Sequence, residues 1–120
     1  MKEIIWLGNS YKRVLDFPTE ARESAGRELH EVQHGRMPTD WKSIVGIGIG
    51  VIEIRIHKPN EHRVLYVARF EKAIYVLHAF QKQTQQITQK DLKAARTAYA
   101  QIKKDAKEKS KRSNSPRRLR

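Results

Sequence analysis

Cysteine is absent from the 120-residue chain, which excludes disulfides and thiolate metal sites together and suits a reducing compartment. Long apolar runs are missing too. None approaches the roughly 20 residues of a membrane-spanning helix. The opening Met1–Leu7 stretch is too short for a signal peptide, and no cleavage site follows it. The chain is therefore expected in the cytoplasm, with no membrane partner. Acidic residues are scarce: 13 Asp and Glu face 25 Lys and Arg, giving a net charge of +12 and a pI near 10.2. A surplus of that size attracts polyanions such as nucleic acid or a ribosome.

Familiar catalytic signatures are lacking as well. The chain has no Ser/His/Asp arrangement, no Walker loop and no carboxylate pair with an evident purpose. Gly46-Ile47-Gly48-Ile49-Gly50 is not a phosphate loop, because a strand follows it where a helix N-terminus would be needed; it reads as a flexible entry to that strand. His30 and His34 are spaced i, i+4, but no third ligand is near, so they read as a solvated helix face. His78, inside a strand, reads as a core or sheet-face residue. No metal and no cofactor are called for.

What is present is a small α+β pattern. Residues 2–7 form a strand, and two short helices follow, with Ser10 and Thr19 at their caps. Ala21, Ala25, Leu29 and Val32 make a narrow apolar stripe on the second helix, which Gly35 ends. Residues 36–42 read as a connection. Residues 50–57 alternate, with Ile52, Ile54 and Ile56 on one face and Glu53, Arg55 and His57 on the other. Residues 63–69 and 73–80 complete a three-strand antiparallel meander, the last two joined by a turn at Phe70-Glu71-Lys72. Thr88 and Asp91 form a capping box for a last helix, with Leu92, Ala95, Tyr99 and Ile102 as its stripe. The expected fold is α+β: a small antiparallel sheet of the N-terminal strand plus the meander, packed by an N-terminal helical hairpin and a C-terminal helix. Residues 1–104 form the domain, and 105–120 a basic tail expected to be disordered. Residues 103–120 hold nine bases and two acids, +7 of the +12, which leaves +5 for residues 1–102.

The candidate chemistry is cationic. Arg55 lies opposite the isoleucine face, Arg63 opens the next strand and Lys82 follows the last; a meander can bring all three to one face. Cleaving RNA internally requires a deprotonated 2′-OH, a stabilised dianionic phosphorane and a protonated leaving 5′-oxygen. Fixed guanidinium and ammonium groups suit the second task. His57, Lys58, Arg69, Gln81, Lys103 and Lys104 are candidate RNA contacts around them.

The runs Gly50-Val51-Ile52-Glu53-Ile54-Arg55, Arg63-Val64-Leu65-Tyr66 and Val76–Gln85 (VLHAFQKQTQ) together resemble the HigB-type, phage-derived Gp49-like branch of the RelE/ParE toxin superfamily. Phe17-Pro18 and Gly35-Arg36-Met37-Pro38 fit the same branch, and the resemblance spans about residues 2–102. It implies a toxin of a type II toxin–antitoxin system: a ribosome-dependent endoribonuclease acting on mRNA, neutralised by a cognate antitoxin, often of helix-turn-helix type. Arg63 matches a transition-state-stabilising arginine of RelE-type members, Arg55 a cation acting on the phosphate or leaving group, and Lys82 a base contacting the scissile phosphate; the general base stays unnamed. Glu53 stands where such toxins often carry lysine, no tyrosine follows Lys82 at the usual place, and the basic tail exceeds the family pattern. The tail is expected to anchor ribosomal RNA. Two other readings stay open: a ParE-like, non-nuclease inhibitor of DNA gyrase, and a basic RNA-binding accessory protein. The sequence does not fix an oligomeric state.

Overall fold

Alternation along the strands and apolar stripes on the helices give a sheet covered on both faces. A computed structural model describes residues 1–69 and 73–102. The elements are β1 (Glu3–Trp6), α1 (Ser10–Leu15), α2 (Thr19–Gln33), β2 (Trp41–Ser43), β3 (Val51–Ile56), β4 (His62–Val67) and β5 (Ala73–Gln81). Residues 89–102 are helical and are called α3. The turn expected at 70–72, the domain boundary at 104/105 and the tail lie outside the described residues. None of the described helices is long and apolar enough to cross a membrane.

The sheet runs β1-β5-β4-β3-β2. Its centre is the expected antiparallel meander, but the whole is mixed, because β1 pairs parallel with β5. Gly8, at φ +53°, turns the chain out of β1, and Leu7 N–H and Ser10 Oγ both donate to the Val76 carbonyl. These bonds seat α1 against β5. The stretch around Trp41, read as a connection, is instead a short edge strand antiparallel to β3. Arg55 N–H donates to Asp40 O, and Ile44 N–H to Val51 O, at its two ends.

One face of the sheet is covered by α1 and α2. Val14, Phe17, Ala21, Ala25, Leu29 and Val32 pack on Ile54, Ile56, Val64, Tyr66, Ile74, Val76 and Ala79. The two alanines allow the helix to approach closely, and burying Leu29 contributes roughly 1.5–3 kcal/mol. Gly35, at φ +83°, ends α2: its N–H reaches Val32 O, and Arg36 N–H reaches Glu31 O, a Schellman closure. The expected N-terminal caps differ. Pro18 occupies the cap position of α2, with no side-chain bond from Thr19. Ser10 is the first residue of α1, its hydroxyl spent on the sheet.

The opposite face carries α3, whose Ala95, Ala98, Tyr99 and Ile102 pack on Val51, Leu65, Val67, Leu77 and Phe80. The Thr88–Asp91 capping box is formed: Asp91 N–H donates to Thr88 Oγ1 at 3.2 Å, and that hydroxyl donates to Asp91 Oδ2 at 2.8 Å. The glycine-rich segment is more than a flexible entry. Ile47 is buried in this core, Arg96 Nε donates to Gly46 O (2.8 Å) and Tyr99 Oη to Ile49 O (2.9 Å). Gly48 lies directly under the Tyr99 ring, where a β-carbon would overlap it.

Gly48→Ala should therefore cost about 1–3 kcal/mol through overpacking. Gly26→Ala, on the exposed side of α2 with open space around its Cα, should add about 0.5–1 kcal/mol. Urea denaturation of the two variants checks both signs.

Candidate functional site at one end of the sheet

Strand period decides which side chains meet. Val51, Glu53 and Arg55 share the α3 face of β3 with Arg63, Leu65 and Val67 of β4, and Arg55 stands directly opposite Arg63, which stands opposite Phe80. This face is not the solvated one its polar residues suggest. Glu53 is 4% exposed and Arg63 3%, since the apolar rows beside them are under α3. Like charges opposite each other on neighbouring strands are destabilising, so the Arg55–Arg63 pair needs counter-charge.

Arg63 receives it from two carboxylates. Nη2 donates to Glu61 Oε1 at 2.9 Å, Nη1 to its neighbour's His62 O at 3.0 Å, and Nε lies 3.8 Å from Glu53 Oε1. At that distance the last contact is an ion pair rather than a hydrogen bond. The Nε groups of both Arg55 and Arg63 are buried without a hydrogen-bond partner. A buried N–H lacking an acceptor costs about 1–3 kcal/mol, and here two such donors stand on facing arginines.

The network continues outward through His57. Its Nδ1 lies 2.9 Å from Glu61 and its Nε2 2.5 Å from Asp40 Oδ2. A carboxylate only accepts, so the ring bonds both partners at once only in its doubly protonated form. The Asp40 bond first, then the Glu61 bond, raise the His57 pKa above its ordinary 6.5. His57 and then Arg63 hold the Glu61 carboxyl below its usual range. The sequence reading missed Asp40 and Glu61 as partners in this network, and the pairing of Glu53 with Arg63. The i, i+2 spacing of Glu61 and Arg63, same-side positions on an extended chain, is the one signal that pointed to this pairing; Asp40 lies too far along the chain to leave any.

Lys82 reaches the same end through its backbone, its N–H donating to Glu61 O at 2.8 Å. Its side chain, half-buried, lines a cleft of about 110 Å³ with Phe80, Thr84, Ile87 and Asp91. Lys58 is exposed beside His57, and Gln81 is exposed opposite His62. Arg69 is not brought to this group: it lies past the far end of β4, with its side chain against Gly50. Lys103 and Lys104 lie outside the described residues. His30 and His34 are exposed on α2 with their rings 4.4 Å apart.

His78 occupies a separate polar cluster. It is buried, stacked on Phe80, and its Nε2 lies 2.7 Å from Asp91 Oδ1. Arg13 approaches the same oxygen at 3.9 Å and donates from Nε to Ala79 O at 2.6 Å, on the part of β5 that extends beyond β1. Burial pushes the His78 pKa down, outweighing the Asp91 bond that pulls it up. The neutral ring donates from Nε2, clamping β5 to the first turn of α3.

A small α+β protein with helices on both faces of an open sheet, and a buried arginine held between carboxylates at one sheet end, is the class this fold and site define. The chain belongs to the phage-derived Gp49-like protein family (DUF891), whose model matches residues 12–100, and that family is a branch of RelE/HigB-like toxins. The match starts in α1 and ends in α3, so it takes in the whole Arg55–Arg63 network. No curated protein matches the chain. Membership makes this a toxin–antitoxin-related protein, with an antitoxin as the partner its family implies.

The two histidines give opposite pH slopes. Folded His57 holds its proton more tightly than unfolded, so its contribution is full below pH 6.5 and is lost as pH rises through the raised folded value. Folded His78 holds its proton less tightly, so its stabilisation is present above pH 6.5 and fades as pH falls through the lowered value. In urea titrations across pH, the wild-type advantage over His57→Gln should shrink above pH 6.5. For His78→Gln, the acid-side decline should be shallower than in the wild type.

Proposed function

We propose that this chain is the toxin of a type II toxin–antitoxin pair and cleaves mRNA on the ribosome. The observation that carries the reading is the facing Arg55–Arg63 pair, with two buried and unpartnered Nε donors at one end of the sheet. In the proposed step the 2′-oxygen passes its proton to solvent and attacks the adjacent phosphorus. The phosphorus–O5′ bond then breaks, and O5′ takes up a proton from solvent, leaving a 2′,3′-cyclic phosphate and a 5′-hydroxyl. Negative charge grows on the non-bridging oxygens, where Arg63 and Arg55 stabilise it, and Lys82, just past the end of β5, holds the phosphate. Such preorganised donors supply about 2.7–4 kcal/mol each in comparable sites. His57, protonated between Asp40 and Glu61, is the proton reserve on the Glu61 side. The net charge of +12 supports a ribosomal setting. The antitoxin is taken to be of helix-turn-helix type, and the site of action cytoplasmic.

One observation favours a second reading. Glu61 and Glu53 already neutralise Arg63, which suits a structural arginine in a non-enzymatic, ParE-like inhibitor of DNA gyrase. Induced expression separates the two: transcripts cut within codons support the nuclease, whereas stalled replication with intact transcripts supports the inhibitor.

Arg55→Ala, at a half-buried position, should lower mRNA cleavage on purified ribosomes by at least about 100-fold, the loss of one such donor, with folding retained. Arg63→Ala should abolish cleavage, and its ion-pair loss also costs about 3–5 kcal/mol of stability. Wild-type cleavage by a folded Arg55→Ala protein overturns the assignment.

A further inference from the structure

The loop between β2 and β3 presents an apolar surface that the fold does not use. Val45 is 90% exposed and Ile49 73%, and Trp41, at the other end of β2, is 42% exposed. Between them Ile47 is buried, and Arg96 and Tyr99 bind the loop carbonyls at Gly46 and Ile49. The segment is thus fixed at its centre while its apolar tips face water. Isolated exposed apolar residues are ordinary, but a held cluster marks a surface that something covers.

Two further features say what covers it. The β2 residues facing β3 are the even-numbered ones: Asp40 and Ile44 bond β3 across its ends, and Lys42 stands opposite Glu53. The backbone N–H and C=O groups of Trp41 and Ser43 therefore point outward from the last strand of the sheet. The rim is basic. Lys42 is on β2 and Arg96 on the loop carbonyl, and no acid occurs between residues 41 and 52. Nucleic acid would satisfy the cations but not Val45 and Ile49. An extended peptide with acidic and apolar residues satisfies all three requirements: backbone pairing at the edge, apolar contact and opposite charge.

We infer that this ledge docks an acidic, extended segment of the cognate antitoxin along β2, burying Trp41, Val45 and Ile49. The inference rests on family membership and not on the nuclease reading. Along β2 the ledge runs from the 45–49 loop to Trp41, which stands opposite Ile54, next to Arg55 on β3.

The test uses the full chain and the antitoxin selected as the protein whose co-expression restores growth, or, where the chain proves non-toxic, as the protein encoded beside it. Val45→Asp/Ile49→Asp should weaken antitoxin binding at least 100-fold in calorimetry, and Lys42→Gln alone several-fold. The thermal midpoint of the double variant should be unchanged, since Val45 and Ile49 are exposed. Growth arrest by the double variant should persist and resist the antitoxin. Unchanged antitoxin affinity overturns the inference. So does loss of ribosome co-sedimentation with antitoxin binding intact, which assigns the ledge to the ribosome. Because binding is read directly, a non-toxic wild type would sink the nuclease reading and leave this result standing.

Discussion

A full positive charge held out of water at the Arg63 guanidinium is the constraint on which the functional end of this molecule depends. Burying such a group costs several kcal/mol unless it is paired. Its surroundings read as the answer to that cost: Glu61 and Glu53 supply opposite charge, and the His62 carbonyl supplies a hydrogen-bond acceptor. Glu61 is then shared with His57, which brings in Asp40 from before β2. Four separate stretches of chain are tied together by one arginine's need for partners. The tie also leaves an opening, because neither Arg55 nor Arg63 has a partner for Nε. Two unmet donors set this pair apart from a fully satisfied structural ion pair.

That arrangement exists only because α3 covers the second face of the sheet. With Tyr99, Ala98 and Ala95 packed over Leu65 and Val67, the row containing Glu53 and Arg63 becomes interior, and side chains that would be solvated on a bare meander are forced to find one another. The His78–Asp91 bond and the Arg13 approach hold the first turn of α3 in place, while Tyr99 and Arg96 hold its other contacts on the 46–49 loop. The helix therefore links the polar end of the sheet to the displayed ledge through two sets of contacts on one rigid element.

The limits of reading this chain as a sequence follow from the same geometry. Local signals carried well: the stripe Ala21–Val32, the glycine ending α2, the Thr88–Asp91 box and the meander all rest on contacts within a few turns or one hairpin. Parallel pairing of β1 with β5 did not carry, because either orientation leaves the same alternation in Ile4 and Trp6. Trp41–Ser43 was obscured by its shortness, since three residues give no period. Strand alternation separated Arg55 and Glu53 from the isoleucines correctly, yet alternation says only that two faces differ, not that the second is wet. Whether it is wet depends on α3, encoded some 25 residues beyond the strands in question. The glycine-rich loop was misjudged for a related reason: glycine reads as freedom locally, whereas Gly48 is small so that the Tyr99 ring can rest on it.

Two uses of charge can then be told apart by burial. At the sheet end, cations lie among carboxylates in a low-dielectric setting where each hydrogen bond is directional and strong. Around the 41–50 ledge the cations are at the surface, screened within about 8–10 Å at ordinary salt, and in the proposed docking they would bias encounter while apolar contact supplies the affinity. A chain with a net charge of +12 needs both. Unfocused positive charge would bind any polyanion, so discrimination must come from places where burial makes the geometry exacting. In this fold those places are made by covering: α3 makes one at the Arg55–Arg63 row, and an incoming partner strand would make the other at β2.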